Sequence, residues 1–187
     1  MNYFELFDIP QSPVVNRQEL AKKYFELQKQ NHPDYHTKAD ESDQNNSLEI
    51  SAAINKAFNI FQNEDKTIEY FLQTVGLMEI DEKYSLPSDF LMEMMEINES
   101  VHDLPEDAIK QQVAEYGNKL KEAIRPVIEN FQPASTGQQE LLQLKEYYFK
   151  KKYLKRILDR LSDWRNIASR VWFYSLLVYW FISLLVY

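Results

Sequence analysis

The chain reads as an all-α protein: an N-terminal helical hairpin, then a C-terminal three-helix bundle, then an apolar C-terminal tail. Three observations predict this class. Apolar residues recur at the i, i+3, i+4, i+7 spacing of a helix face in successive runs. The 187 residues are 44% hydrophobic, enough for one medium core or two small ones. Only three glycines interrupt them.

The first arm of the hairpin runs from Glu19 to Asn31, with Leu20, Tyr24 and Leu27 on the buried stripe and Lys22, Lys23 and Lys29 off it. Pro33 lacks an N–H and disfavours helical geometry at the residue before it, so the arm stops at about Asn31 or His32. His32-Pro33-Asp34 therefore opens a rigid, polar tip. Tyr35 to Ser47 is polar, holds Lys38, Asp40, Glu41 and Asp43, and has no apolar periodicity, which predicts a solvated loop. Its length is unusual for a helix connection and hints at function. The second arm, Leu48 to Phe61, puts Ile50, Ala53, Ile54, Ala57, Phe58 and Phe61 on one stripe and can pack antiparallel on the first.

From Tyr3 to about Val75 these residues resemble the J-domain co-chaperones, which stimulate ATP hydrolysis by DnaK-type chaperones. The resemblance is carried by the opening helix Tyr3-Phe4-Glu5-Leu6-Phe7, the basic helix, the His32-Pro33-Asp34 tip and Ile54-Asn55-Lys56-Ala57-Phe58. One departure is Glu64-Asp65 in place of the family's Asp-Pro, which leaves the start of the fourth helix open. The resemblance implies that His32, Pro33, Asp34, Lys22, Lys23 and Lys29 bind the chaperone. The physical chemistry is compatible with that. An Asp34 carboxylate at a fixed turn can pair with an arginine or lysine, and His32 can hydrogen-bond through either nitrogen. Pro33 limits the freedom lost on docking, and the lysines, with Arg17, can steer toward an acidic surface. Taken singly, each feature is better read as a helix stop or a solvated face, whereas together and in this order they favour the family reading.

After Gly76 the segment 76–88 reads as a linker, and Pro87-Ser88-Asp89 as a turn and helix cap. In the run Phe90 to Val101, one stripe holds Phe90, Met94, Ile97 and Val101. Leu91, Met92 and Met95 lie off it and are either further core or a surface for a partner. Phe90-Leu91-Met92-Glu93 followed by Glu96 and Glu99 is similar to the C-terminal domain of HscB-type J-proteins, which deliver an iron–sulfur scaffold protein to its chaperone. That resemblance implies a scaffold-binding face of Leu91, Met92, Met95, Glu96 and Glu99, with Tyr153 standing for the family's later aromatic residue. Glu106 to about Asn130 forms a helix that Pro126 kinks or breaks. Phe131 to Gly137 is a loop, and Gln138 to Asn166 is a helix whose first stripe fades midway while Leu154, Ile157, Leu158 and Leu161 continue a second. The expected division is a J-domain at 1–75, the linker, a three-helix domain at 89–170 and the tail at 171–187.

Composition removes several function classes. With no cysteine there is no disulfide, thiolate nucleophile or zinc ribbon. His32 and His36 are separated by Pro33 and find no third ligand, so no metal is expected. Three glycines exclude a glycine-rich phosphate loop. No catalytic residues and no cofactor are expected, and the protein reads as a co-chaperone rather than an enzyme. Residues 76–132 hold 5 Lys/Arg against 13 Asp/Glu, while 133–187 hold 9 against 4. No region has the basic excess of a nucleic-acid binder. The N-terminus carries no signal or transit pattern, which predicts a cytoplasmic protein. Val171 to Tyr187 contains no charge. As a helix it would extend about 25 Å, slightly short of a bilayer core. It is read as a membrane anchor, a helix packed on the bundle or an oligomer contact, or an extension without a role, and a membrane-tethered J-protein with another client stays open beside the iron–sulfur reading.

Overall fold

The computed structural model describes residues 1–31, 41–100, 103–133 and 135–185, without the side chains of 41–47 and 162–185. The described secondary structure is entirely helical: α1 (Tyr3–Leu6), α2 (Arg17–Asn31), α3 (Glu41–Phe61), α4 (Glu64–Thr74), α5 (Ser88–Ser100), α6 (Glu106–Glu129) and α7 (Gln138–Leu185). Two compact units form. One comprises 1–84 with 124–148, the other 85–123 with 149–187, so α6 and α7 each contribute to both.

In the first unit, the Asn2 side chain caps α1 by accepting from the Phe4 N–H. The helix closes with Asp8 at φ 48°, where the Asp8 and Ile9 N–H groups reach back to the carbonyls of Glu5 and Phe4. Aspartate tolerates this left-handed position better than most residues. Phe4 and Phe7 are thereby driven into a core with Leu20, Ile54, Ala57 and Phe61. Phe4 packs on Phe61 at 4.8 Å, and the Tyr3 N–H donates to the Tyr70 hydroxyl at 2.8 Å. The hairpin is pinned between Tyr24, stacked on Phe58 at 3.9 Å, and the Asn55 Oδ1, which accepts from both the Tyr24 hydroxyl and Gln28 Nε2 at 2.9 Å.

Without the family's Asp-Pro, α4 starts by another device. Asn63 is the cap, its side chain accepting from the Lys66 N–H at 3.1 Å. The helix ends on Gly76 at φ 72°, with the Gly76 N–H bonded to the Gln73 carbonyl and the Leu77 N–H to that of Leu72. A methyl group at Gly76 would meet no neighbour, so only its backbone conformation demands glycine. Gly76→Ala is expected to cost about 1 kcal/mol in urea denaturation, and a neutral result would remove this account.

Beyond Gly76, Met78 is buried, and Lys145 of α7 donates to the Leu77 carbonyl at 2.7 Å and pairs with Glu82 at 2.5 Å. The hydrogen-bonded ammonium holds the Glu82 carboxyl below its ordinary value of 4.5. A folded pKa below the unfolded one stabilises fully above about pH 4.5 and loses that contribution as pH falls through the folded value. Glu82→Gln should therefore cost up to about 1 kcal/mol at pH 7 and nothing near pH 2. Urea titrations at the two pH values check this.

The second unit has its own core of Phe90, Met94, Ile109, Val113, Leu154, Ile157 and Leu161. The fading stripe of α7 has its explanation in the two units. Leu144, Tyr147 and Tyr148 are buried in the first unit, whereas Leu154, Ile157 and Leu161 are buried in the second, so the apolar phase shifts where the helix changes core.

Three expectations are corrected. Residues 41–47 are helical and belong to α3, not to a loop. That stretch has no apolar stripe to announce itself, but extending an existing helix needs only one backbone bond per residue and no tertiary contact. Pro126 does not break α6, which continues to Glu129. It lies near the helix end, and its carbonyl takes both the Asn130 N–H and side-chain amide. Finally, α7 does not stop at Asn166 but extends to Leu185. The anchor reading of 171–187 falls where side chains are outside the described set. Among the described residues no helix is long and apolar enough to cross a membrane.

Candidate functional site

Two surfaces carry the residues singled out by sequence. On α2, Lys22 and Lys29 are exposed. Lys23 is partly covered and bound to Asp8 at 2.7 Å, and Arg17 lies 3.5 Å from Glu64. The Lys23–Asp8 hydrogen bond raises the lysine pKa and lowers that of the carboxyl. The charge of this patch is therefore partly neutralised within the chain, leaving Lys22 and Lys29 as its outward cations. The pair spans fifteen residues and follows no helical spacing, so sequence reasoning had no signal for it. The expected tip, His32, Pro33 and Asp34, lies outside the described residues.

The second surface is α5. Phe90 and Met94 are 1% and 0% exposed, and Ile97 packs partly buried against the same core. With these three inward, the 3.6-residue turn places Leu91, Met92, Met95, Glu96 and Glu99 within roughly 140° of arc on the opposite side. Leu91 is 37% exposed, Met92 65% and Met95 59%, and both glutamates are exposed. Three large apolar groups thus stand in solvent side by side, rimmed by carboxylates. Burying each on a partner would contribute on the order of 1 kcal/mol, and thioethers adapt to irregular shapes.

The face is held rigidly from behind. The Phe90 ring meets Tyr116 at 5.7 Å, meets Tyr153 edge-on at 5.7 Å, and lies under the Lys150 ammonium at 5.4 Å. Tyr116 hydrogen-bonds Glu93, and burial pushes its phenol up to about 12. Tyr153 is half-buried, with the Arg156 guanidinium 6.0 Å over its ring. The structure therefore gathers Leu91, Met92, Met95, Glu96 and Glu99 on one helix face, while Tyr153 supports Phe90 from α7. Among the described residues no group of histidine and acidic side chains could hold a metal ion. The arrangement suits protein docking.

The family profile described as HSCB C-terminal oligomerisation domain matches residues 86–162. The co-chaperone protein HscB homolog of Shewanella halifaxensis is 32% identical over 166 residues, covering 87% of this chain and 95% of its own. That of Shewanella pealeana is 30% identical with the same coverage. Among solved structures, chaperone HscB from Vibrio cholerae superposes with a TM-score of 0.58 at 25% identity, covering 90% of this chain and 99% of that one. Human co-chaperone HscB shares the fold at a TM-score of 0.69 and 24% identity, covering 88% and 82%. Identity sustained over nearly the whole length of both chains places the all-helical protein described above in the HscB co-chaperone family, whose members are co-chaperones and not themselves enzymes.

Proposed function

We propose that this co-chaperone binds an iron–sulfur cluster scaffold protein, carries it to a DnaK/HscA-type chaperone and stimulates that chaperone's ATP hydrolysis. Scaffold binding is assigned to Leu91, Met92, Met95, Glu96 and Glu99 with Tyr153 at the edge. Chaperone binding is assigned to His32, Pro33 and Asp34 with Lys22, Lys23 and Lys29. In this reading 1–75 act as the J-domain and 89–170 as the scaffold-binding domain, in the cytoplasm. The observation that carries it is the exposure of three adjacent large apolar side chains on α5, directly opposite two side chains that are wholly buried. A monomer gains nothing from such a patch, whereas a binding face requires it.

The test is calorimetric titration of a purified iron–sulfur scaffold protein into the full chain. Leu91→Ala/Met92→Ala/Met95→Ala should weaken binding at least about tenfold while leaving the melting temperature in place, because none of the three belongs to the core. Unaltered affinity, or no binding by the wild type, would count against the proposal.

A further inference from the structure

Beside the docking face, α5 and α6 enclose a groove of about 350 Å³. Its apolar lining comes from Ile97 and Tyr116, whose hydroxyl is already engaged by Glu93. Two carboxylates line it, Glu96 from α5 and Glu115 from α6, and one oxygen of Glu115 accepts from Gln111 Nε2 at 3.0 Å while the other is open to a guest. Ser100 and Gln112 complete the wall, and the Ser100 hydroxyl donates its proton to the Ile97 carbonyl at 2.7 Å, leaving its oxygen lone pairs to accept. Lys119 adds one positive charge to the lining. Glu96 belongs both to this groove and to the face carrying Met92 and Met95, so the two surfaces are continuous.

We infer that the groove receives a lysine or arginine side chain of the scaffold partner, presented beside the apolar contact at Leu91, Met92 and Met95. This rests on the scaffold-binding reading above and adds the chemistry that sets the partner's register. A long basic side chain matches each part of the groove. Its aliphatic stem packs on Ile97 and Tyr116, and its charged head reaches the carboxylates. An anionic ligand meets two carboxylates and is repelled. Lys119 opposes the guest, so its removal should help rather than harm.

The same titration with the iron–sulfur scaffold protein decides the matter, using wild type, Glu115→Lys, Lys119→Glu and the triple alanine variant. Glu115 and Lys119 are exposed and outside the core, so their variants should melt like the wild type. Glu115→Gln serves as the milder change should Glu115→Lys unfold. We expect Glu115→Lys to weaken binding roughly five- to tenfold and Lys119→Glu to tighten it comparably, both effects shrinking in high salt. A gain of affinity at Lys119 is something a purely structural role would not give. If both charge variants bind as the wild type does while the triple variant fails, the groove assignment is overturned and the docking face stands. If the triple variant binds normally, or the wild type does not bind, the docking face falls and this inference with it.

Discussion

Asp34→Asn should reduce stimulation of the partner chaperone's ATPase to the basal rate while leaving the far-ultraviolet circular dichroism unchanged. The substitution is isosteric and removes only a charge, so the helical content has no reason to respond. The binding does have a reason. A carboxylate paired with an arginine makes charge-assisted hydrogen bonds about twice as strong as neutral ones. Replacing it with an amide forfeits that and strands the partner's charge in a desolvated contact, a loss of roughly 2–5 kcal/mol when the pair is buried. His32→Gln should behave alike. Lys22→Ala differs, because an exposed cation contributes steering, so it should raise the concentration needed for half-maximal stimulation without lowering the maximum. Steady-state phosphate release over a titration of co-chaperone separates the two patterns, and full stimulation by Asp34→Asn would refute the assigned role.

Phe90→Ala is expected to cost about 3–5 kcal/mol in the unfolding of the second unit. The ring is 1% exposed and touches the rings of Tyr116 and Tyr153, so its loss leaves a void between three helices. Because α5 is seated by Phe90 and Met94, the variant should also lose scaffold binding, although Phe90 touches no partner. Leu91→Ala is the complement, weakening binding while leaving stability alone. Urea denaturation followed by tryptophan-independent far-ultraviolet signal, paired with calorimetry, distinguishes them. A Phe90→Ala penalty under about 1 kcal/mol would contradict the packing described.

Most of the helices were legible because each buries a stripe, and burial leaves a period in the sequence. In α5 the separation of Phe90 and Met94 from Leu91, Met92 and Met95 followed from the 3.6-residue turn, although which stripe faced inward needed the structure. What was illegible lacks a period. The polar turns at 41–47 extend α3 without an apolar period in the sequence, so they looked like loop. Pro126 looked like a kink or a break because local rules weigh its missing N–H and do not weigh a helix near its natural end, and of the two the break does not occur. The α7 stripe faded because one helix serves two cores in succession. The Asp8–Lys23 pair and the α5–α6 groove join residues distant along the chain, and no local pattern encodes such meetings.

The double acceptance by Asn55 bears on the chaperone docking proposed for the hairpin. Sliding α2 along α3 by one turn would trade two hydrogen bonds for bonds to water and separate the Tyr24 and Phe58 rings, so the observed alignment is favoured over its neighbours. The facing ends of α2 and α3 are consequently held in one register. Under the function proposed above, a chaperone that grips α2 meets a helix already aligned on its neighbour, so little rearrangement opposes capture.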